Sequence, residues 1–144
     1  MKAKKFKPRN GAPFPKKDAQ KIGEELENIK AKKNLTPNNV VEKAKNKKSI
    51  LHKYFEWDNS EAAEEYRLQQ AKNIINHVVE VIVIKGNVIE ERAYFNVIAK
   101  NNERSYVSLT EVIKVPSYKK QLLGEMQTTL ENLLRLIKLF SSIG

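Results

Sequence analysis

Read for apolar spacing, the chain divides into a helical first half, a strand-rich middle and a long terminal helix. Ala19, Ile22, Leu26 and Ile29 recur at three and four residues and make one stripe, which predicts a helix over 16–33. Pro15 suits a first helical turn, Asp18 its positive end, and Lys30, Lys32 and Lys33 the last turn, while Gly23 weakens the helix slightly. Thr36-Pro37 is a second start signal, and Val40, Val41 and Ala44 give a short apolar face to a helix over 37–45. Ser49 opens a third short helix, 50–56, with Ile50, Leu51, Tyr54 and Phe55 apolar. Asp58 and Glu61 have capping-box spacing, with Ser60 a competing cap. Beyond them Ala63, Leu68, Ala71, Ile74, Ile75 and Val78 fall within about 140° on a helical wheel, so a fourth helix covers 60–77.

The period then changes. Residues 78–84, VVEVIVI, are β-branched and predict a strand, closed by a hairpin turn at Lys85-Gly86-Asn87. A second strand is expected over 92–100 and a third over 105–109, giving a three-stranded antiparallel meander that needs a helix on one face. Pro116 punctuates, and Ser117 is the expected cap of a last helix over 117–141. In it Leu123, Met126, Leu130, Leu133, Ile137 and Phe140 are spaced 3, 4, 3, 4, 3. That spacing serves a helix packed on a sheet and also a coiled-coil seam. Leu136, Leu139 and Ile143 add a second apolar edge, where a homodimer contact through the C-terminal helix would form.

Charge changes this picture at one end. The net charge is +10, and residues 1–48 carry all of it, with fifteen Lys and Arg against five Asp and Glu; residues 49–144 carry twelve of each. Residues 1–15 hold Pro8, Pro13, Pro15 and Gly11 among five cations, which reads as a basic flexible arm. The candidate nucleic-acid contacts are Lys4, Lys5, Lys7, Arg9, Lys16, Lys17, Lys43, Lys45, Lys47 and Lys48. Lysine is a flexible point charge, which favours sequence-independent phosphate contact over base reading. The bland reading of the same residues is a solvated basic face.

The rest of the composition mainly excludes. No cysteine is present, so disulfides, thiolate metal sites and cysteine nucleophiles are excluded. No apolar run approaches 18 residues, and the N-terminus lacks the apolar segment of a secretory signal, so neither a membrane span nor secretion is expected. There is no G-x-S-x-G, P-loop or G-x-G-x-x-G, and the chain reads as non-enzymatic, without catalytic residues, cofactor or metal. His52 and Glu56, four apart, with Asp58 behind them, are the only metal-like set, and a hydrogen-bonded structural His52 beside Trp57 is the stronger reading. Tyr54 and Trp57 are the candidate partner-binding aromatics, weighed against a core plug. Helices over 37–77 have helix-turn-helix proportions, but the would-be recognition helix, 50–56, is apolar enough to be buried.

Several of these residues form a recognisable pattern. Leu35-Thr36-Pro37 with Val40-Val41 and Ala44 is followed by Ser49-Ile50-Leu51-His52, Phe55-Glu56-Trp57-Asp58, Ala62-Ala63, Tyr66-Arg67 and Gln70-Ala71. This run resembles a family of small phage and prophage proteins of unassigned function with an S-x-L-H, F-E-W-D, A-A, Y-R, Q-A-R pattern. It covers about residues 35–75, and Lys72 stands where the pattern has Arg. The resemblance implies a mobile genetic element and a bacterial cytoplasm, and carries over no activity or site residue.

The expectation is therefore an arm over 1–15 and a single α+β domain over 16–144, helical over 16–77, a meander over 78–109, then the terminal helix. The expected function is a non-enzymatic phage accessory protein that contacts DNA through its basic N-terminal third. The alternative is a protein-interaction regulator of a phage or host DNA-processing enzyme, for example an integrase whose direction it controls. A metal-dependent nuclease would have only His52, Glu56 and Asp58 to stand on.

Overall fold

A computed structural model of the chain describes residues 4–58, 60–99 and 102–143. Its elements begin with strand β1 (Lys5–Pro8), helices α1 (Lys16–Lys32) and α2 (Pro37–Ala44), a single 3-10 turn (His52–Tyr54) and helix α3 (Glu61–Asn76). Strands β2 (Val78–Ile84), β3 (Asn87–Arg92), β4 (Tyr94–Ile98) and β5 (Arg104–Ser108) follow, then helices α4 (Leu109–Lys114) and α5 (Pro116–Ile143). The architecture is mixed helix and sheet with a three-stranded antiparallel sheet, as the periodicities predict. Of the strands expected in that sheet, β2 belongs to it and the other two do not. It runs β1-β2-β3, and β4 pairs with β5 in a separate two-stranded sheet.

The expected flexible arm is the first correction. Phe6 pairs with Glu80 and Pro8 with Val78 in the ladder to β2, and the alternation Lys-Phe-Lys sends only Phe6 into the core. The outer edge of β1 is closed by Gln20 of α1. Its Oε1 accepts from the Phe6 N–H (2.9 Å) and its Nε2 donates to the Lys4 carbonyl (2.8 Å). These are the backbone groups that an edge strand otherwise leaves open.

The meander is the second correction. Lys85 and Gly86 both have positive φ (51° and 82°), as a two-residue hairpin loop of matching twist requires. So tight a turn makes Asn87 pair at once with Ile84, and 87–92 becomes the partner of β2. The strand expected over 92–100 begins instead at Tyr94. Buried Ala93, whose N–H donates to the Val78 carbonyl (3.0 Å), carries the chain from one sheet to the other.

The helices expected over 16–33, 37–45 and 60–77 end within a residue of α1, α2 and α3. Thr36 caps α2 as expected, its Oγ1 accepting from the Asn39 N–H (3.2 Å). Ser60 is the N-cap of α3, but its side chain makes no capping bond. The helix expected over 50–56 shrinks to one 3-10 turn, because Leu51 and Phe55 are both drawn into the core on either side of it. The last helix starts at Pro116, so Ser117 lies inside it, and a separate α4 precedes it. Ser108 caps α4 in a capping box with Glu111.

Two cores result. The larger joins Ile22, Leu26 and Ile29 of α1 to Val40, Leu51, Ile74, Ile75, Val78 and Tyr94. The smaller joins Val97 and Val107 of the β4–β5 hairpin to Val112 and Tyr118. Polar links tie the hairpin and α4 to α1 and its C-terminal loop, among them the Tyr94 hydroxyl of β4, which donates to Glu27 (3.1 Å). The Tyr106 N–H donates to the Leu35 carbonyl (2.8 Å), and Lys30 pairs with Glu111. Burial alone would raise the Glu111 pKa, but Lys30 and the Ser108 hydrogen bonds outweigh it and hold the carboxyl below the usual range.

Candidate nucleic-acid interface

The buried stripe of α1 decides where its lysines go. With Ile22, Leu26 and Ile29 turned inward, Lys17, Lys21, Glu24, Asn28 and Lys32 share an outward stripe about 80° wide at 100° per residue. Helix α2, started by Thr36-Pro37, lies alongside and brings up Asn39, Glu42 and Lys43. Between the two helices lie adjoining open hollows of about 330 and 400 Å³. Asn28 and Lys43 line both. Lys32 and Lys33 line the first, and Lys21 and Lys48 the second.

The carboxylates in this groove are already engaged. Glu25 accepts from the Ser49 hydroxyl (3.1 Å) and lies 3.7 Å from Lys43. Glu42 pairs with Lys45 (2.7 Å), which holds its carboxyl below the ordinary carboxylate range. Glu24 accepts from Gln20. Lys21, Lys32, Lys33, Lys47 and Lys48 are exposed and form no ion pair among the described residues. The groove therefore has cations to spare and amide groups beside them, the donors that suit phosphate oxygens.

The cations expected from sequence do not gather in one place. Lys43, Lys45, Lys47 and Lys48 belong to the groove or its C-terminal turn, and Lys17 continues its stripe. Lys4 is committed to Glu27 (2.7 Å), with Glu80 at 3.8 Å, and Lys7 to Glu90 (2.6 Å). Lys5, Arg9 and Lys16 are exposed outside the groove lining. Sequence reasoning missed Lys21, Lys32 and Lys33. For Lys21 and Lys32 the signal lies in their 4- and 7-residue spacing from Lys17 and Asn28, which puts them on one helix face, whereas Lys33, at the C-cap, has no such spacing.

The aromatic segment after α2 is tied into the body. His52 Nδ1 donates to the Ala44 carbonyl (2.8 Å), which fixes the tautomer, and its ring stacks on Trp57 at 4.9 Å. Trp57 Nε1 donates to the His52 carbonyl (2.9 Å), and the Arg67 guanidinium lies 5.4 Å from the Trp57 ring. Arg67 also donates to the Glu56 and Asp58 carbonyls (3.1 and 3.0 Å). Residues 52, 56 and 58 thus serve this cluster with backbone oxygens. The Tyr54 hydroxyl donates to Asp18, and its ring meets Phe14 edge-on at 6.3 Å. Burial, with Asp18 adding to it, raises the Tyr54 pKa. Lys53 (2.8 Å) and Tyr54 hold Asp18 below its ordinary value. Tyr54 and Trp57, the expected partner-binding pair, both pack half-buried on the larger core. The 3-10 turn that ends at Tyr54 is too short to enter a DNA groove as a recognition helix.

Among the described residues, no group of three or more His, Asp or Glu side chains is arranged to hold a metal ion. Among them, too, no helix is long and apolar enough to cross a membrane. No family model, curated protein or solved structure matches the chain.

Proposed function

We propose that the chain is a non-enzymatic nucleic-acid-contacting protein that holds the phosphate backbone in the α1–α2 groove. The phage accessory role implied by the sequence resemblance is the setting in which we place it. The observation that carries the reading is the run of exposed lysines, Lys21, Lys32, Lys33 and Lys48, that form no ion pair within 4 Å among the described residues, along hollows of about 330 and 400 Å³. Lysines at these positions neutralise phosphates without reading bases, so binding is sequence-tolerant and salt-dependent.

The test is the affinity of the intact protein for duplex DNA of mixed sequence, measured by fluorescence anisotropy over a salt series. Replacing Lys21, Lys32, Lys33 and Lys48 by Ala is expected to flatten the log–log salt slope by about two to four, at roughly 0.9 for each phosphate no longer neutralised. Replacing Lys5 and Arg9 is expected to change it little. No retention at low salt, or a slope that the four groove substitutions leave intact, refutes the reading.

A regulator that binds a phage or host DNA-processing enzyme is the second reading. It is favoured by Val83 and Val88, cross-strand partners that are 66% and 65% exposed near the tip of the β2–β3 hairpin. Such an apolar contact would respond little to salt, so the same titration with a captured partner separates the two readings.

A further inference from the structure

Helix α5 spans 28 residues, about 42 Å, yet its described packing on the rest of the chain lies near its start. Tyr118 is buried and Leu122 half-buried in the smaller core. Gln121 brackets the backbone of Ile98, accepting from its N–H (2.8 Å) and donating to its carbonyl (3.1 Å). Immediately beyond, Leu123 and Met126 are 55% and 61% exposed. They begin the stripe that continues in sequence through Leu130, Leu133, Ile137 and Phe140 at alternating spacings of 3 and 4. A repeat of 3.5 residues is followed by the surface of another helix in a shared supercoil. We propose that this stripe is a homodimer seam, in which α5 of a second copy packs antiparallel against it.

Size, composition and charge select a second copy. With Leu134, Leu136 and Ile143 on its flanks in sequence, the stripe counts nine large apolar residues. At roughly 60–120 Å² each, two copies bury on the order of 1,000–2,000 Å², the range of stable interfaces. The flanking positions Gln127, Thr129 and Ser141 carry no charge, so the seam lacks the ionic code by which a helix selects a different partner. Within the seam, 123–140, the outer charges divide by half, Glu125 and Glu131 first, Arg135 and Lys138 later, while Lys119 and Lys120 precede it. A parallel pair would set like beside like and bring two basic bodies together. The antiparallel pair sets the acidic half near the basic half, opposes the helix dipoles and keeps the bodies at opposite ends. Leu123 then faces Phe140, and Met126 faces Ile137. This proposal stands independently of the nucleic-acid reading.

The test is the mass of the intact protein by light scattering at about 100 μM, well above the dissociation constant of a micromolar dimer. Twice 16.6 kDa is expected. The double substitution Leu123→Glu/Met126→Glu replaces side chains exposed in the single chain, so Trp57 fluorescence is expected to stay native while the mass halves. Leu139→Glu makes the same chemical change off the seam and is expected to leave the mass doubled. A monomeric native chain, or a dimer that survives the double substitution, overturns the seam. Orientation is read with Met126→Cys, in a chain that has no other cysteine. Antiparallel packing keeps the two thiols about 16 Å apart by helix rise, so ready disulfide formation between copies overturns that orientation.

Discussion

Glycine inside a helix costs about 1 kcal/mol relative to alanine, yet position 23 of α1 has no room for a methyl group. A Cβ there would lie 2.1 Å from Cδ2 of Phe6. Burying Phe6 is worth about 1.5–3 kcal/mol, so glycine is the stabilising choice at this place. Gly23→Ala is expected to lower stability by about 1–3 kcal/mol in urea titrations, through overpacking. In a Phe6→Ala background the same substitution is expected to gain up to about 1 kcal/mol instead, from helix propensity. A neutral result in both backgrounds would mean that the ring does not rest on Gly23. Asp18 is the other residue with a measurable signature. Its native pKa lies below the ordinary 3.8, first because of Lys53 and then of Tyr54. As pH falls the unfolded chain therefore takes up the proton first. The stabilisation is complete above the ordinary value and is lost as pH drops through the native one. The urea midpoint is expected to fall more steeply below about pH 4 in the native protein than in Asp18→Asn. Parallel profiles would remove Asp18 from the acid response.

At the scale of elements, β1 is where a basic tail and a structural strand are told apart. It supplies Phe6 to the core, four ladder pairs to β2 and the backbone groups that Gln20 satisfies. Deleting residues 1–9 is expected to cost at least about 3 kcal/mol, the loss of a buried phenylalanine. That is on the order of 10 °C in Tm, read by circular dichroism. A truncated chain that melts with the full one would restore the flexible arm. Charge substitutions that keep Phe6 are therefore the clean way to vary this segment's electrostatics. α1 has a matching double duty, with the apolar stripe that builds the core on one side and the lysine stripe that lines the groove on the other.

At the scale of the whole molecule, the surplus of ten positive charges is sorted by the fold. Lys4 and Lys7 are drawn into ion pairs with Glu27, Glu80 and Glu90, acids that come from α1, β2 and β3. Lys21, Lys32, Lys33 and Lys48 are left along one groove. The expected salt slope thus depends on position and not on total charge, and removing groove lysines should matter more than removing as many elsewhere. Groove and seam lie on different elements. The four-lysine variant is expected to keep the dimer mass, and Leu123→Glu/Met126→Glu to keep the salt response of each chain. Loss of both properties in either variant would point to a single shared surface or to unfolding.

The periodicity of 3 and 4 in residues 19–29, 63–78 and 123–140 determined three helices nearly to the residue, because an apolar stripe and its caps are local. The change to β-branched residues at 78–84 determined β2 for the same reason. Strand partnership was not local. β1 lies more than 60 residues from β2, and nothing within Lys5–Pro8 announces that its one phenylalanine meets a glycine on α1. β3 is polar enough to pass for a loop, and only the two-residue turn with positive φ at Lys85 and Gly86 commits it to pair. The candidate groove was half legible. The excess of lysine is a property of composition, but which lysines stay free depends on acids brought from distant strands, and only the tertiary structure decides that.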